Sequence, residues 1–514
     1  MSKGALGVEV STMNDISGLS LTAREREYGA VFSKQPHLLD LSYAELEEKN
    51  LEIKAERLAG VTSSGMKAKL LKYLDLEKGI KAVTVCFSDL EGRLHTLDYD
   101  KNHIISSEDN LTFDGSSING FTQLSQSDLR LKIDWTSFRW VPSDLFGAGK
   151  VLAFANVCDR DGSFYTSDFR SSLLSLCDEI KKTKGMTVNV APEIEGFLFK
   201  GTKAEQIFDE AEGFELATAS GYFSSLPQDT LRLFIDKFAD VQRALGFQNE
   251  KDHPEVAPAQ FELNFKYSLA LDTADQIQLY KLLARQVAKS MGFTASFLPK
   301  PIRNLNGNGM HINMSLAIDG KNIFYENSAD FNLSETARKF VTGILYHAND
   351  LCLTMNASVN SYRRLDPNYE APNEIKFSAI DRGSMIRIPE GNECSSRIEV
   401  RTVAPDVNPY LSLFTLIKAG LKAMNASAEE LKKMEAKVYG GKVKKLPSDI
   451  YIAMDFFKKS KFMKAVLGSE NHSKYLELKE NSAHRCPKDL GSKVKAAEVL
   501  YHHEITNQLI WDDF

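Results

Sequence analysis

The chain has 514 residues, a formal net charge of −6, 43% apolar and 26% charged residues, the profile of an ordinary globular protein of two to four domains. That balance carries no basic bias toward nucleic acid. No run of 18 apolar residues occurs, and the most hydrophobic helix-like segment, LSLFTLIKAGLKAM, is interrupted by Lys418 and Lys422, so no membrane span is expected.

Residues 1–77 form an extension with two characters. The first 40 residues show no sustained period and are expected to be partly disordered; they also lack an apolar leader core, so a cytoplasmic location is expected. SYAELEEKNLEIKAERL (42–58) has the charge mix of an exposed helix, and a second helical segment follows at about 66–75. KAVTVCFSDLEGRLHTLDYD then gives two β-rich runs around DLEG, a hairpin signal. With FRWVP and KVLAFANVCD it makes a small, mostly β domain over 78–167. From 168 to 514, helices such as SSLLSLCDEIKKTKG, ended by Gly185, and DTADQIQLYKLLARQVAKSMG alternate with strands in an α+β order. The six cysteines have no paired spacing, which suits a reducing compartment rather than a thiolate metal site.

The strands of this second region carry the chemistry. In APEIEGFLF, Glu193 and Glu195 lie two residues apart and so share one face of a strand. For an isolated pair a solvated face is the favoured explanation; the alternative is a positive charge between them. QFELNFK puts Gln260, Glu262, Asn264 and Lys266 on one face, GMHINMSL puts His311, Asn313 and Ser315 on one face, and SRIEVR does the same with Arg397, Glu399 and Arg401. RGSMIRIPE adds Arg382 and Arg387. Acids with one imidazole suit Mg²⁺ or Mn²⁺ better than zinc, and arginines beside them suit carboxylate and phosphoryl groups. Metal-assisted phosphoryl transfer is the expected chemistry. No GxxxxGK[ST] is present, so a nucleotide would be held without a P-loop.

Taken in order, these stretches resemble the type I, bacterial-style glutamine synthetase family. PEIEGFLF matches its acidic strand, EVAPAQFE (255–262) its E-V-A-P-G-Q-x-E segment, and NGNGMHINMS (306–315) its N-G-x-G-M-H-x-H-x-S strand. NSYRRLDPNYEAP (360–372) is similar to the flap that closes over glutamate, FDGSSINGF (113–121) to the D-G-S-S loop, and GYF (221–223) to G-G-Y-F. The resemblance covers about 78–514 and implies a β-grasp-like small domain (78–167) followed by a large catalytic α/β domain (168–514), with an antiparallel sheet lining a funnel-shaped active site.

The resemblance also implies site roles. Glu195, Glu255 and Glu262 would hold one divalent ion, Mg²⁺ or Mn²⁺, and Glu193, His311 and Glu399 a second. The implied reaction joins ammonia to the γ-carboxylate of L-glutamate, with ATP consumed and γ-glutamyl phosphate as intermediate. Arg364 and Arg401 would bind glutamate, helped by the backbone around Asn306 and Gly307. Arg382 and Arg387 would neutralise the transferred phosphoryl group, with Arg397 and Ser315 steadying ATP. Asp114 would deprotonate ammonium in a pocket completed by Ser117, Tyr222 and Glu255, and Glu370 on the flap would exclude water. Hexameric rings stacked into a dodecamer, with active sites shared between subunits, are also implied. The sequence departs from the family at Asn313 (second histidine of H-x-H), Ala259 (glycine), Phe121 (tryptophan), Cys394 (lysine) and Lys444 (the adenylylated tyrosine), so control by adenylylation is not expected. Two alternatives stay open: a γ-glutamyl ligase for a larger amine such as a polyamine, and a catalytically silent homologue.

Overall fold

A computed structural model describes residues 37–118, 120–122, 127–208, 213–224, 229–365 and 371–484. The strands of the first domain are β1 (Ala82–Ser88), β2 (Leu94–Asp100), β3 (Leu111–Asp114), β4 (Asp128–Ile133), β5 (Arg139–Trp140) and β6 (Lys150–Cys158). They run in the order β2-β1-β6-β4-β3, with β5 on β6, β1 parallel to β6 and the hairpin of β1 and β2 antiparallel. β6 is central and almost wholly buried, as its near-continuous apolar run VLAFANVC requires.

The second sheet contains β7 (Met186–Lys200), β8 (Asn249–Pro254), β9 (Gln260–Phe265), β10 (Ser268–Leu269), β11 (Phe293–Ser296), β12 (Met310–Ile318), β13 (Lys321–Asn322), β14 (Glu374–Ser378), β15 (Ser384–Arg387), β16 (Ile398–Val400) and β17 (Lys444–Lys445). Its order is β17-β14-β15-β16-β12-β7-β9-β8; the pairs are antiparallel except β14 with β15. One face is backed by apolar helices, above all Ala270–Ser290 and Pro409–Met424, whose inward residues are solvent-free. Gly185 ends the helix Phe169–Lys184 at φ 64°, in the left-handed conformation that lets the chain turn directly into β7. Among the described residues no helix is long and apolar enough to cross a membrane.

The extension is tied into both domains. Ser42 and Glu45 form a reciprocal cap on the helix Tyr43–Leu58. On that helix Asn50 is fully buried, donating to the carbonyls of Trp140 (2.8 Å) and Ala244 (2.7 Å) and accepting from the Trp140 N–H (3.0 Å). Arg57 reaches Asp272 at 2.6 Å. Beside it, Arg170 forks onto Asp275 (2.9 and 2.8 Å) and also donates to Asp134 (2.8 Å) and Asn156 (2.7 Å). Extension, small domain and large domain therefore meet in one buried charge network. The charge mix that predicted an exposed helix hid this, because its buried polar residues are buried with partners.

Candidate active site

Strand register assembles the site. Across the second sheet, Arg387 on β15 lies opposite Glu399 on β16, and Glu399 opposite Asn313 on β12. His311 on β12 is opposite Glu193 on β7, Glu195 is opposite Glu262 on β9, and Glu262 is opposite His253 on β8. A single polar band thus crosses six neighbouring strands, and Glu193 and Glu195 share a face as the alternation requires.

Two groupings emerge within this band. In the first, ligand atoms of Glu193, His311 and Glu399 lie within 4.8 Å of one another. The His311 Nδ1 is 3.2 Å from Glu193 and 3.6 Å from Glu399. Arg387 donates to Glu399 at 2.8 Å, and Arg401 pairs with its other oxygen. Burial alone would raise the Glu193 carboxyl, but the hydrogen bond and charge of His311, then Asn313 and Arg401, pull it well below the usual carboxylate range.

The second grouping joins Glu255, Glu262 and His253 within 4.8 Å. The His253 Nδ1 contacts the Pro254 carbonyl at 3.0 Å, which assigns the proton there and leaves Nε2 as a bare lone pair. Among the described residues that buried Nε2 has no hydrogen-bond partner, and it lies 3.7 Å from Glu262. Burial and the Glu195 charge push Glu255 up to about 7, and burial with three neighbouring glutamates raises Glu262 well above its usual value. An orphaned imidazole nitrogen facing mutually repelling carboxylates is a donor set suited to a divalent cation, because a cation removes both penalties.

His253 is absent from the expected ligands, and its signal was faint: it lies just before EVAPAQFE, and its link to Glu262 is a cross-strand pairing. Glu195 stands beside this grouping rather than in it, accepting the Gly309 N–H at 2.6 Å. The glycines of NGNG are close-approach positions. A Cβ on Gly307 would lie 2.5 Å from the Pro299 carbonyl, and one on Gly309 2.7 Å from Arg364 and 2.9 Å from His311. Gln260 ties the two loops together, donating to the Gly307 carbonyl and Asn308 at 3.1 and 2.9 Å.

The remaining expected residues fall in several places. Arg364 is 7% exposed and donates to the carbonyls of Arg401 (2.8 Å) and Thr402 (3.1 Å), two of its five N–H groups, which fixes it in the floor of the site. Arg382 is exposed between β14 and β15, Asn306 is half-buried, and Glu370 lies outside the described residues. Asn313 donates to Glu193 at 3.1 Å while its oxygen accepts from Arg397 at 3.0 Å, so the amide bridges acid and arginine where the family has an imidazole. Ser315 and Arg397 line an adjoining groove of about 1070 Å³, together with Glu193, Cys394 and the half-exposed Tyr267. Tyr222 is half-exposed, stacked on Phe223 at 3.8 Å and edge-on to His253 at 6.5 Å. Asp114 accepts from the hydroxyls of Ser116 and Ser117, both at 2.6 Å, on edge strand β3 of the small sheet. Among the described residues no hydrogen bond or ion pair joins Asp114 or Ser117 to the acidic groupings.

Ala259, where the family has glycine, sits at φ 59°. The position does demand the left-handed conformation, and alanine occupies it under strain.

Comparison with known proteins identifies both domains. The glutamine synthetase beta-Grasp domain model matches residues 79–159 and the glutamine synthetase catalytic domain model residues 167–493. Glutamine synthetase of Methanosarcina mazei is 36% identical over 421 residues, 79% of this chain and 91% of that protein; the Thermus thermophilus enzyme is 33% identical over 437 residues, 80% and 94%. Among solved structures, Plasmodium falciparum glutamine synthetase is similar in fold at a TM-score of 0.72 and 22% identity, covering 85% of this chain and 98% of that one. A GmaS/ADP complex gives 0.68 and 26%, covering 80% and 95%. With a β-grasp domain ahead of a large catalytic domain, and both matched in order, this chain belongs to the glutamine synthetase family.

Proposed function

We propose that the chain ligates ammonia to the γ-carboxylate of L-glutamate with ATP, yielding glutamine, ADP and phosphate. The observation that carries this is the pair of buried groupings, Glu193/His311/Glu399 and His253/Glu255/Glu262, side by side on one sheet face. Two divalent cations, Mg²⁺ or Mn²⁺, held there with Glu195 alongside, would supply charge neutralisation for phosphoryl transfer. ATP would lie in the groove beside Glu193, its base against Tyr267 and its phosphates reaching Ser315, Arg397 and Arg387.

Arg401 and the main chain at Asn306 and Gly307 orient glutamate, with Arg364 bracing the floor beneath them. The γ-carboxylate oxygen attacks the γ-phosphorus and ADP leaves, giving γ-glutamyl phosphate, while Arg382 and Arg387 offset the charge on the group in transfer. Ammonium, held by Tyr222, Ser117 and Glu255, gives a proton to Asp114; the nitrogen then attacks the acyl carbon, and phosphate leaves as hydrogen phosphate with the nitrogen's second surplus proton. In one chain Asp114 is exposed and held below the usual carboxylate range by Ser116 and Ser117, which makes it a weak base. Its place on an edge strand fits delivery to a neighbouring subunit's site, as in stacked hexameric rings, where loss of water would raise its basicity. Glu370 on the flap would shield the acyl phosphate from hydrolysis.

The likeness to GmaS, a γ-glutamylmethylamide synthetase, favours one second reading, in which a small alkylamine replaces ammonia. Phosphate release with ATP, Mg²⁺ and glutamate, compared across ammonium, methylamine and polyamines, separates the two. Release with ammonium at the lowest KM supports the proposal; release with amines alone overturns the ammonia assignment, and no release with any of them overturns the ligase reading.

A further inference from the structure

A second cavity, of about 380 Å³, opens between the domains where the β1–β2 turn, the helix Ala270–Ser290 and the segment 405–407 meet; no member of the two acidic groupings lines it. Its wall carries four cationic side chains, Arg93, Lys281, Arg285 and Lys479, against two carboxylates, Glu91 and Asp406. Both carboxylates are already engaged. Glu91 pairs with Lys479 at 2.7 Å and Arg93 at 3.3 Å, and Asp406 accepts from Ser358 and Ser361 at 2.5 and 3.0 Å.

Lys281 is the exception. It is only 8% exposed, it lines the cavity, and among the described residues its ammonium makes no hydrogen bond or ion pair. Burial, with the Arg285 charge adding to it, pushes that ammonium down to about 7. A buried lysine opposed by the Arg285 charge and only partly offset by Asp406 is costly without a further compensating charge. The cavity is lined by more apolar than polar surface and is of the size that encloses a small metabolite.

We propose that this interdomain cavity is a second ligand site, for a small anion bearing carboxylate or phosphate oxygens, with Lys281 as its principal cationic contact. The anion supplies the partner Lys281 lacks and bridges the small domain's turn to the catalytic domain. It also sits against the holder of the active-site floor: Asp406 grips Ser358, the cap of the helix Val359–Arg364, whose last residue braces Arg401 and Thr402. The site does not depend on which amine the enzyme uses.

The test is site-resolved labelling of the full-length protein. Reductive methylation of Lys281, quantified by mass spectrometry, is measured in succinate, inorganic phosphate or sodium chloride at equal ionic strength, with the exposed Lys432 as internal reference. At about 10 mM anion a millimolar site gives about tenfold protection by mass action. Protection of Lys281 by succinate alone assigns a carboxylate ligand, and by inorganic phosphate alone a phosphate ligand, while Lys432 stays unchanged. The same anion is expected to raise the melting temperature of the wild type more than that of Lys281→Met. Equal Lys281 labelling in all three salts, including no labelling at all, overturns the site, as does an equal melting shift in Lys281→Met.

Discussion

Stripping the cations and lowering the pH should weaken their return, by an amount that Glu255 sets. Its carboxyl titrates at about 7 in the metal-free protein because burial and Glu195 disfavour the anion. A divalent cation binds only the carboxylate, so below pH 7 binding must expel a proton. At pH 8 about nine-tenths of Glu255 is ionised and at pH 6 about one-tenth, so the apparent Kd should rise about tenfold across that interval from this residue alone. Glu262, shifted the same way, adds to the loss, while Glu193 is shifted downward and stays ionised throughout. The linked effect on folding has the opposite sense: a raised acid penalises the metal-free fold above pH 7, by up to about 3 kcal/mol, and the penalty disappears as pH falls toward 4.5. Free Mn²⁺ measured by electron paramagnetic resonance during titration of chelator-treated protein at pH 6, 7 and 8 reads the affinity directly. A change below about twofold between pH 6 and pH 8 would refute the electrostatic account of this grouping.

Three further outcomes follow from the same structure. Ala259→Gly relieves a left-handed alanine at φ 59° and should raise stability by about 1 kcal/mol, read as a higher melting temperature; a fall would mean that the methyl group's packing outweighs the strain. Asn50→Ala removes three buried hydrogen bonds and strands the Trp140 amide, so the chain should lose about 2–4 kcal/mol and become sensitive to limited proteolysis. Asn313→Ala breaks the bridge from Glu193 to Arg397 and should raise the KM for ATP about tenfold, with a smaller effect on the KM for glutamate; equal effects on both would place Asn313 outside the nucleotide's reach.

Most of the acidic site was legible because strand alternation is a local property. Glu193 with Glu195, and His311 with Asn313, could be assigned to one face from their spacing alone. Pairing between strands could not be read from the residues: the resemblance alone supplied the set Glu193, His311 and Glu399, and it did not include His253. His253 becomes a candidate ligand only because β8 lies beside β9 in a register that faces it toward Glu262. Arg364 is assigned to glutamate by resemblance alone, and the two main-chain carbonyls that take two of its five N–H groups are partners no pattern locates. The hairpin of β1 and β2 and the helix stop at Gly185 were legible for the opposite reason, since turn and cap chemistry sit in the sequence itself. At Ala259 the family's glycine hinted at a positive φ, and only the backbone supplied it.

The helix that carries Asn50 and Arg57 has an uncomfortable place in the timetable of synthesis. Its contacts are with Trp140, Ala244 and Asp272, so it leaves the ribosome long before the last of them exists. Asp272 lies 215 residues after Arg57, so at translation rates of about 5–20 residues per second the helix can meet Trp140 of the small domain but lacks its large-domain partner for about 10–40 seconds. Through that interval the helix exposes little apolar surface, since Leu46 and Ile53 are its only buried aliphatic side chains. The charge-rich composition that disguised a structural wedge as a surface helix is what lets a nascent chain carry it safely.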